Sequence, residues 1–195
     1  MKPSTADRVT TILLEAEGTS RAALDRLFPL IYDDLRAIAH RQLGGEGEAQ
    51  TLSTTALVHE AYLRLTDSTR VTARGRAYFF AAAARAMRRI VVDYARRRRR
   101  VKRGGGVQIV PLDEALAPSV GIGAELLDLE RGLTELAKLN PRAVAVVDCR
   151  FFAGLTIEDT ALALGVAGRT VRRDWAFARA WLFDYLRRET QGREP

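Results

Sequence analysis

From Ala22 onward, Leu24, Leu27, Phe28, Ile31, Leu35, Ile38 and Leu43 recur every three or four positions. On a 3.6-residue turn that spacing gathers them on one face, so the stretch predicts an amphipathic helix. Ser20 is placed to cap it. Pro29 lies inside the pattern and, lacking an N–H for the preceding turn, is expected to kink or split it. A shorter helix is expected over 7–17 on Ile12, Leu13 and Leu14, broken by Gly18. Gly44, Gly45 and Gly47 mark a loop. Ser53, Thr54 or Thr55 then caps a helix whose apolar face is Leu57, Val58, Ala61, Tyr62 and Leu65. Residues 66–73 are polar without a period and read as a loop. A long helix follows over about 75–100, built on Tyr78, Phe79, Ala82, Ala83, Ala86, Met87, Ile90, Val91 and Tyr94 and ending in Arg96 to Arg100.

Gly104, Gly105 and Gly106 close this first unit. Residues 107–123 hold two prolines and two further glycines, the composition of a linker. Helical spacing resumes at about 124 with Leu126, Leu127, Leu129, Leu133, Leu136 and Leu139. Pro141 opens the next helix, expected over 141–153, as proline suits a first helical turn. Gly154 ends it, and two helices are expected over 156–164 and 168–189. No strand pattern, repeat or heptad array is visible. The expectation is an all-α chain of two small helical domains, 1–103 and 124–195, joined by a flexible linker, 104–123.

Charge refines this picture. The chain carries 31 Lys and Arg against 24 Asp and Glu, a net +7, which suggests a polyanionic partner. The excess is local. Residues 1–103 hold 20 basic against 11 acidic side chains, and residues 125–195 hold 11 of each. Within 85–103 ten basic residues face a single acid, Asp93. Cations along a helix neutralise phosphates and release counterions. Tyr78, Phe79 and Phe80 just upstream suit either stacking on unpaired bases or the core. The single cysteine, Cys149, excludes a disulfide within the chain and, in an apolar stretch, reads as a small core residue. No signal-peptide or membrane-spanning run is seen, so a cytoplasmic protein without membrane insertion is expected.

The sharpest motif is GLTIEDTALALGVAGRTVRRDWAFARAWL, 154–182. Thr156 caps a helix and Asp159 completes a capping box. Ala161 is small where a second helix approaches, and Gly165 falls at the turn, where positive φ suits a residue without a side chain. Leu164, Val166 and Val171 bridge the two helices, and Val171, Trp175, Ala178 and Leu182 form the inward stripe of the second. This is the signature of a helix-turn-helix, whose second helix lies in the major groove. Arg169, Thr170, Arg172 and Arg173 cluster on its outward first turns. Arginine reads guanine in bidentate fashion, and threonine meets phosphate or a thymine methyl.

Three stretches in order resemble an ECF-type sigma factor of bacterial RNA polymerase: ALVHEAYLRL (56–65), RRIVVDYARRRRR (88–100) and the helix-turn-helix just described. Together they span most of 7–188. The resemblance implies a region 2-like N-terminal bundle that binds core polymerase and melts the −10 element, and a region 4-like C-terminal domain that reads the −35 element. Leu57, His59, Glu60 and Arg64 would face the polymerase. Arg85, Arg88, Arg89, Arg96 and Arg97 would contact DNA around −10, where a flipped base is held in a pocket. Asp174 stands where the family commonly has a base, and it is expected to repel phosphate or accept from a cytosine amine. Thr160 replaces a more usual aliphatic. Relatives are often held by an anti-sigma protein, which is therefore a further expected partner.

Other function classes fit less well. His59-Glu60 begins like a zinc-protease motif, but position 63 is Leu where the second His is needed. His40 and His59 have no ligand partners at metal spacing, and no phosphate-binding glycine loop stands in strand context. No enzyme activity, catalytic residue, metal or cofactor is expected. A stand-alone helix-turn-helix regulator with a helical N-terminal domain is the alternative, although a ligand sensor has no need of the arginine-rich helix. An RNA-binding protein using 85–103 is a further rival.

Overall fold

The structure is a computed structural model in which residues 11–12, 21–43, 53–66, 75–102 and 122–191 are described. The described residues are mostly helical and contain no strand. In chain order the helices are α1 (Arg21–Gln42), α2 (Thr54–Thr66), α3 (Gly75–Lys102), α4 (Ile122–Leu139), α5 (Pro141–Val147), α6 (Ile157–Leu164) and α7 (Gly168–Gln191), with a π-helical segment at Asp148–Phe152 between α5 and α6. Of the helix expected over 7–17, Thr11 and Ile12 are helical and Ile12 is buried; the rest lies outside the described residues. So do the expected Gly44–Gly47 loop, residues 67–73 of the second loop, and residues 104–121 of the linker.

Helices α1, α2 and α3 pack on one another, and α4, α5, α6 and α7 form a second set centred on α7. Pro29 does not split α1, which runs unbroken from Arg21 to Gln42. The ring is exposed, so the bond it removes from the ladder is lost on the water side, where a carbonyl can be hydrated. Among the three candidates Ser53 is the cap of α2: its Oγ accepts from the Ala56 N–H at 3.1 Å.

The expected helix over 141–153 changes character midway. Asn140 caps it, its side chain accepting from the Ala143 N–H at 3.0 Å. After Val147 the chain widens into the π segment, and the Ala153 N–H donates to the Asp148 carbonyl at 2.9 Å, one residue further back than in an α-helix. The wider turn sets Asp148, Cys149 and Phe152 inward. Cys149 is fully buried, as its apolar surroundings implied, and burial pushes its thiol up to about 12.

The apolar interior crosses between the two sets of helices. Phe79, Ala83, Ala84 and Met87 of α3 belong to the same buried cluster as Val147, Phe152 and Ala153. Further along, Val92 and Ala95 of α3 close on Leu127 of α4. Phe79 and Phe80 are buried, which assigns them to the core rather than to base stacking. Helix α3 is thus the spine of the fold: it packs on α1 and α2 on one side and on α4, the π segment and α6 on the other.

Candidate nucleic-acid interface

The α6–turn–α7 unit is built by local chemistry. Thr156 Oγ1 accepts from the Asp159 N–H at 3.0 Å. Its hydroxyl also donates to Asp159 Oδ2 at 2.8 Å, so the box closes through the side chains. Thr160 is completely buried, and its hydroxyl donates back to the Thr156 carbonyl at 2.7 Å. That bond explains how a hydroxyl is accommodated in an apolar position. Gly165 adopts φ +65°, the left-handed conformation that ends α6, and the Val166 N–H returns to the Ala161 carbonyl at 3.0 Å.

Helix α7 then buries Val171, Ala178 and Leu182 and half-buries Trp175. The opposite side presents Arg169, Arg172 and Arg173 to solvent, with Thr170 half-buried beside them. The Arg172 and Arg173 side chains are 62% and 71% exposed. Arg172 meets Glu158 at 3.9 Å, a solvated pair that holds it weakly. The four residues expected at the reading edge therefore share one accessible turn.

Asp174 is not on that edge. Its carboxylate is 4% exposed and accepts from Arg142 Nε at 2.5 Å. This pair ties α5 to α7 and raises the Arg142 guanidinium, chiefly through the hydrogen bond and then the charge of Asp174. The expectation that Asp174 repels phosphate or accepts from a cytosine is corrected: position 174 falls on the inward stripe, next to Val171 and Ala178, and its charge is already paired.

The second basic surface is divided. Arg89, Arg96 and Arg97 are exposed on α3, with Arg96 3.9 Å from Asp93. Arg85 and Arg88 turn instead toward the C-terminal helices. Arg88 Nη1 lies 2.5 Å from Glu130 Oε2 of α4, and its Nε lies 3.1 Å from Asp148 Oδ1. Arg85 Nε reaches the other Asp148 oxygen at 3.2 Å. The Arg88 guanidinium also sits over the Phe152 ring, 5.2 Å from its centre. The Arg88 side chain is 10% exposed and Asp148 4%. In this conformation Arg88 is a buried ion-pair residue, not a free phosphate contact. Sequence reasoning missed Asp148 and Glu130. Asp148 did leave a signal, a lone acid within AVAVVDCRFF, since a charge in an apolar run is buried only when paired.

On α2, His59 and Glu60 are exposed, and Arg64 is half-buried between Glu60 at 3.3 Å and Asp93 at 4.0 Å. The His59 ring lies 5.5 Å from Phe28, within a group that includes Tyr32 and Tyr62. Leu63 adds an apolar side chain that is 53% exposed. Leu57 has no exposed surface, so its expected contact with polymerase is corrected: it faces the core between α2 and α3. Among the described residues no group of three His, Cys, Asp or Glu side chains is placed to hold a metal. No described helix is long and apolar enough to cross a membrane.

A family model described as ECF sigma factor matches residues 6–188. No curated protein matches the chain. The match covers nearly the whole sequence, and the chain belongs to the ECF sigma factor family, acting in transcription initiation.

Proposed function

We propose that this ECF sigma factor directs core RNA polymerase to its promoters by reading the −35 element with Arg169, Thr170, Arg172 and Arg173 and by engaging the −10 strand along α3. The observation that carries this reading is the start of α7: three exposed arginines and a threonine on one turn, beyond a capped α6 and a left-handed Gly165. That arrangement suits insertion into a major groove, where base edges are distinguishable. Arg89, Arg96 and Arg97 supply accessible cations for the −10 region. Arg85 and Arg88 join them only when their carboxylate partners are released. His59, Glu60, Leu63 and Arg64 form the polymerase-facing surface of α2, a mixed apolar and charged patch. Residues 1–103 and 124–195 are the working divisions of this scheme, and an anti-sigma protein remains a partner class to be sought.

Run-off transcription with purified core polymerase and genomic DNA tests the proposal. Promoter-directed transcripts are expected only when the protein and core are combined. Equal promoter specificity with and without polymerase would overturn it in favour of a stand-alone regulator. Salt-sensitive binding to any single strand with no promoter-directed transcript would favour an RNA-binding protein.

A further inference from the structure

Arg172 and Arg173, side by side at the start of α7, stand next to different kinds of acid. Arg172 faces Glu158 of α6 at 3.9 Å, and both side chains are mostly in water. Such a pair fixes neither partner in one geometry. Arg173 faces Asp174 instead: its Nε lies 3.6 Å from Asp174 Oδ1, and that carboxylate is almost fully buried. The contact is longer than a hydrogen bond, so it steers the guanidinium without capturing it. Asp174 is itself fixed from the other side. Its Oδ2 accepts from Arg142 Nε at 2.5 Å, and its Oδ1 accepts from Arg142 Nη2 at 3.5 Å. Two donors from one guanidinium set the plane of a carboxylate as well as its position. Arg142 stands in the first turn of α5, behind the Asn140 cap and Pro141. Val171 and Ala178, buried on either side of Asp174 along α7, hold the same strip of the helix against the interior.

A chain of contacts thus runs from α5 through Arg142 and Asp174 to a side chain on the reading edge, whereas the acid beside Arg172 is itself exposed. The direction of the last contact matters for chemistry. An arginine recognises guanine with two N–H groups held in one plane. Asp174 approaches Arg173 at Nε, which leaves the far edge of the guanidinium for a base. A side chain already turned that way loses less freedom when it binds.

We propose that Asp174 and Arg142 are positioning residues for base reading: Arg142 fixes the Asp174 carboxylate, which turns Arg173 toward the groove and makes it the more selective of the two exposed arginines. Neither positioning residue touches DNA. The inference deepens the −35 reading proposed above and rests on it. Asp174 is negative, so its neutralisation does not weaken the general attraction for phosphates. Loss of positioning therefore has its own signature, lower base selectivity at undiminished overall affinity. A loosened C-terminal set of helices would lose both.

The test uses the full chain with core polymerase and a duplex pool randomised across the upstream element of a promoter mapped by run-off transcription. Arg173→Ala identifies the base pair whose preference it erases. At that base pair Asp174→Asn is expected to lower the preference for the favoured base by about three- to tenfold, the worth of one side chain ordered in advance. Arg142→Lys keeps the charge but not the fork, and is expected to lower it by a smaller factor. Glu158→Gln removes the acid beside Arg172 and is expected to leave every preference unchanged. In an Arg173→Ala background, Asp174→Asn should have no further effect on selectivity. A loss in Asp174→Asn that is spread over all positions, matched by Glu158→Gln or repeated in the Arg173→Ala background would overturn the proposal, as would an Arg173→Ala profile identical to wild type. A second measurement covers the case in which Asp174→Asn fails to fold. In heteronuclear NMR of the free wild-type chain, the steady-state NOE of the arginine Nε–H groups reports picosecond-to-nanosecond motion. Arg173 is expected to be restrained and Arg172 mobile, each signal assigned by its absence in Arg173→Lys or Arg172→Lys. Equal mobility of the two would overturn the proposal. This arm involves neither promoter nor polymerase, so failure of the sigma reading in run-off transcription and failure of the positioning chain are told apart.

Discussion

The two arginine-bearing surfaces of this molecule look alike in sequence and differ in what satisfies them. At the start of α7, Arg172 and Arg173 are mostly in water and touch acids only loosely. In the middle of α3, Arg88 is almost fully enclosed, with two carboxylates and an aromatic ring around it. The first surface is ready for a polyanion. The second must give up partners before it meets one. A run of basic residues therefore measures capacity for nucleic acid, while availability depends on acids that lie 42 to 60 positions away in the chain.

The largest effect that bears on this contrast comes from the core beneath both surfaces. Phe79 is 1% exposed in the cluster that spans the two sets of helices. Phe79→Ala is expected to lower stability by about 3–5 kcal/mol. Both tryptophans, Trp175 and Trp181, stand on α7, so their fluorescence follows the C-terminal set alone. If that set depends on α3, the fluorescence transition in urea shifts together with the helical circular dichroism. A fluorescence midpoint that stays put while the dichroism moves would mean that the halves unfold independently.

Next in size is the exposed surface itself. Arg172→Ala or Arg173→Ala is expected to weaken binding at the upstream element by about 1–3 kcal/mol, provided the arginine bonds a base in bidentate fashion. Footprinting of the polymerase complex reads this directly. Neutralising Arg96 and Arg97 should instead weaken binding evenly across sequences and lower the salt slope by about 0.9 for each phosphate left without its cation. A sequence-selective effect from Arg96 and Arg97, or an even one from Arg172, would reverse the roles assigned to the two surfaces.

The contrast also explains how much could be read in advance. The helix-turn-helix was legible because its signals are local: Thr156 to Asp159 spans three residues, Gly165 sets one dihedral, and Val171 to Leu182 keeps one period. The helical class followed from the same short-range spacing. Asp174 was misread because its neighbours in sequence are arginines, while its partner in space, Arg142, sits on α5. Leu57 was misread because a motif aligns positions, whereas burial is decided by the twist of α2 against α3. The π segment had no visible signal, since a single widened turn leaves the apolar spacing nearly intact. The Arg88 ion pairs with Glu130 and Asp148 were out of reach for the same reason as Asp174: ion pairs across helices obey no sequence period.

Smaller again is the backbone at the turn. Gly165 has φ +65°, and a Cβ built there meets nothing within 4 Å. Gly165→Ala thus isolates the left-handed strain, about 1–2 kcal/mol. The loss should appear in urea denaturation followed by tryptophan fluorescence. An unchanged midpoint would show that the turn relaxes at no cost, and that the start of α7 is less fixed than its caps imply.

The smallest effect separates the two kinds of charge by pH. Burial raises the Asp148 carboxyl, against the opposing Arg88 and Arg85 charges. The folded protein then holds that proton more tightly than the unfolded chain does. Where the folded value exceeds the unfolded one, stability falls as pH rises through the interval between them, and increases as pH drops back toward the ordinary carboxylate range. Asp148→Asn, a neutral isostere, removes this slope. At neutral pH the variant should be no less stable than wild type, because Glu130 still pairs with Arg88, and the difference should shrink on acidification. Urea midpoints of the two proteins measured across that interval decide the matter. An Asn variant that is clearly weaker at neutral pH, with wild type losing stability as pH falls, would mean that the buried pair is a net bond rather than an exchangeable one, and the contrast between an engaged and a waiting arginine surface would lose its energetic basis.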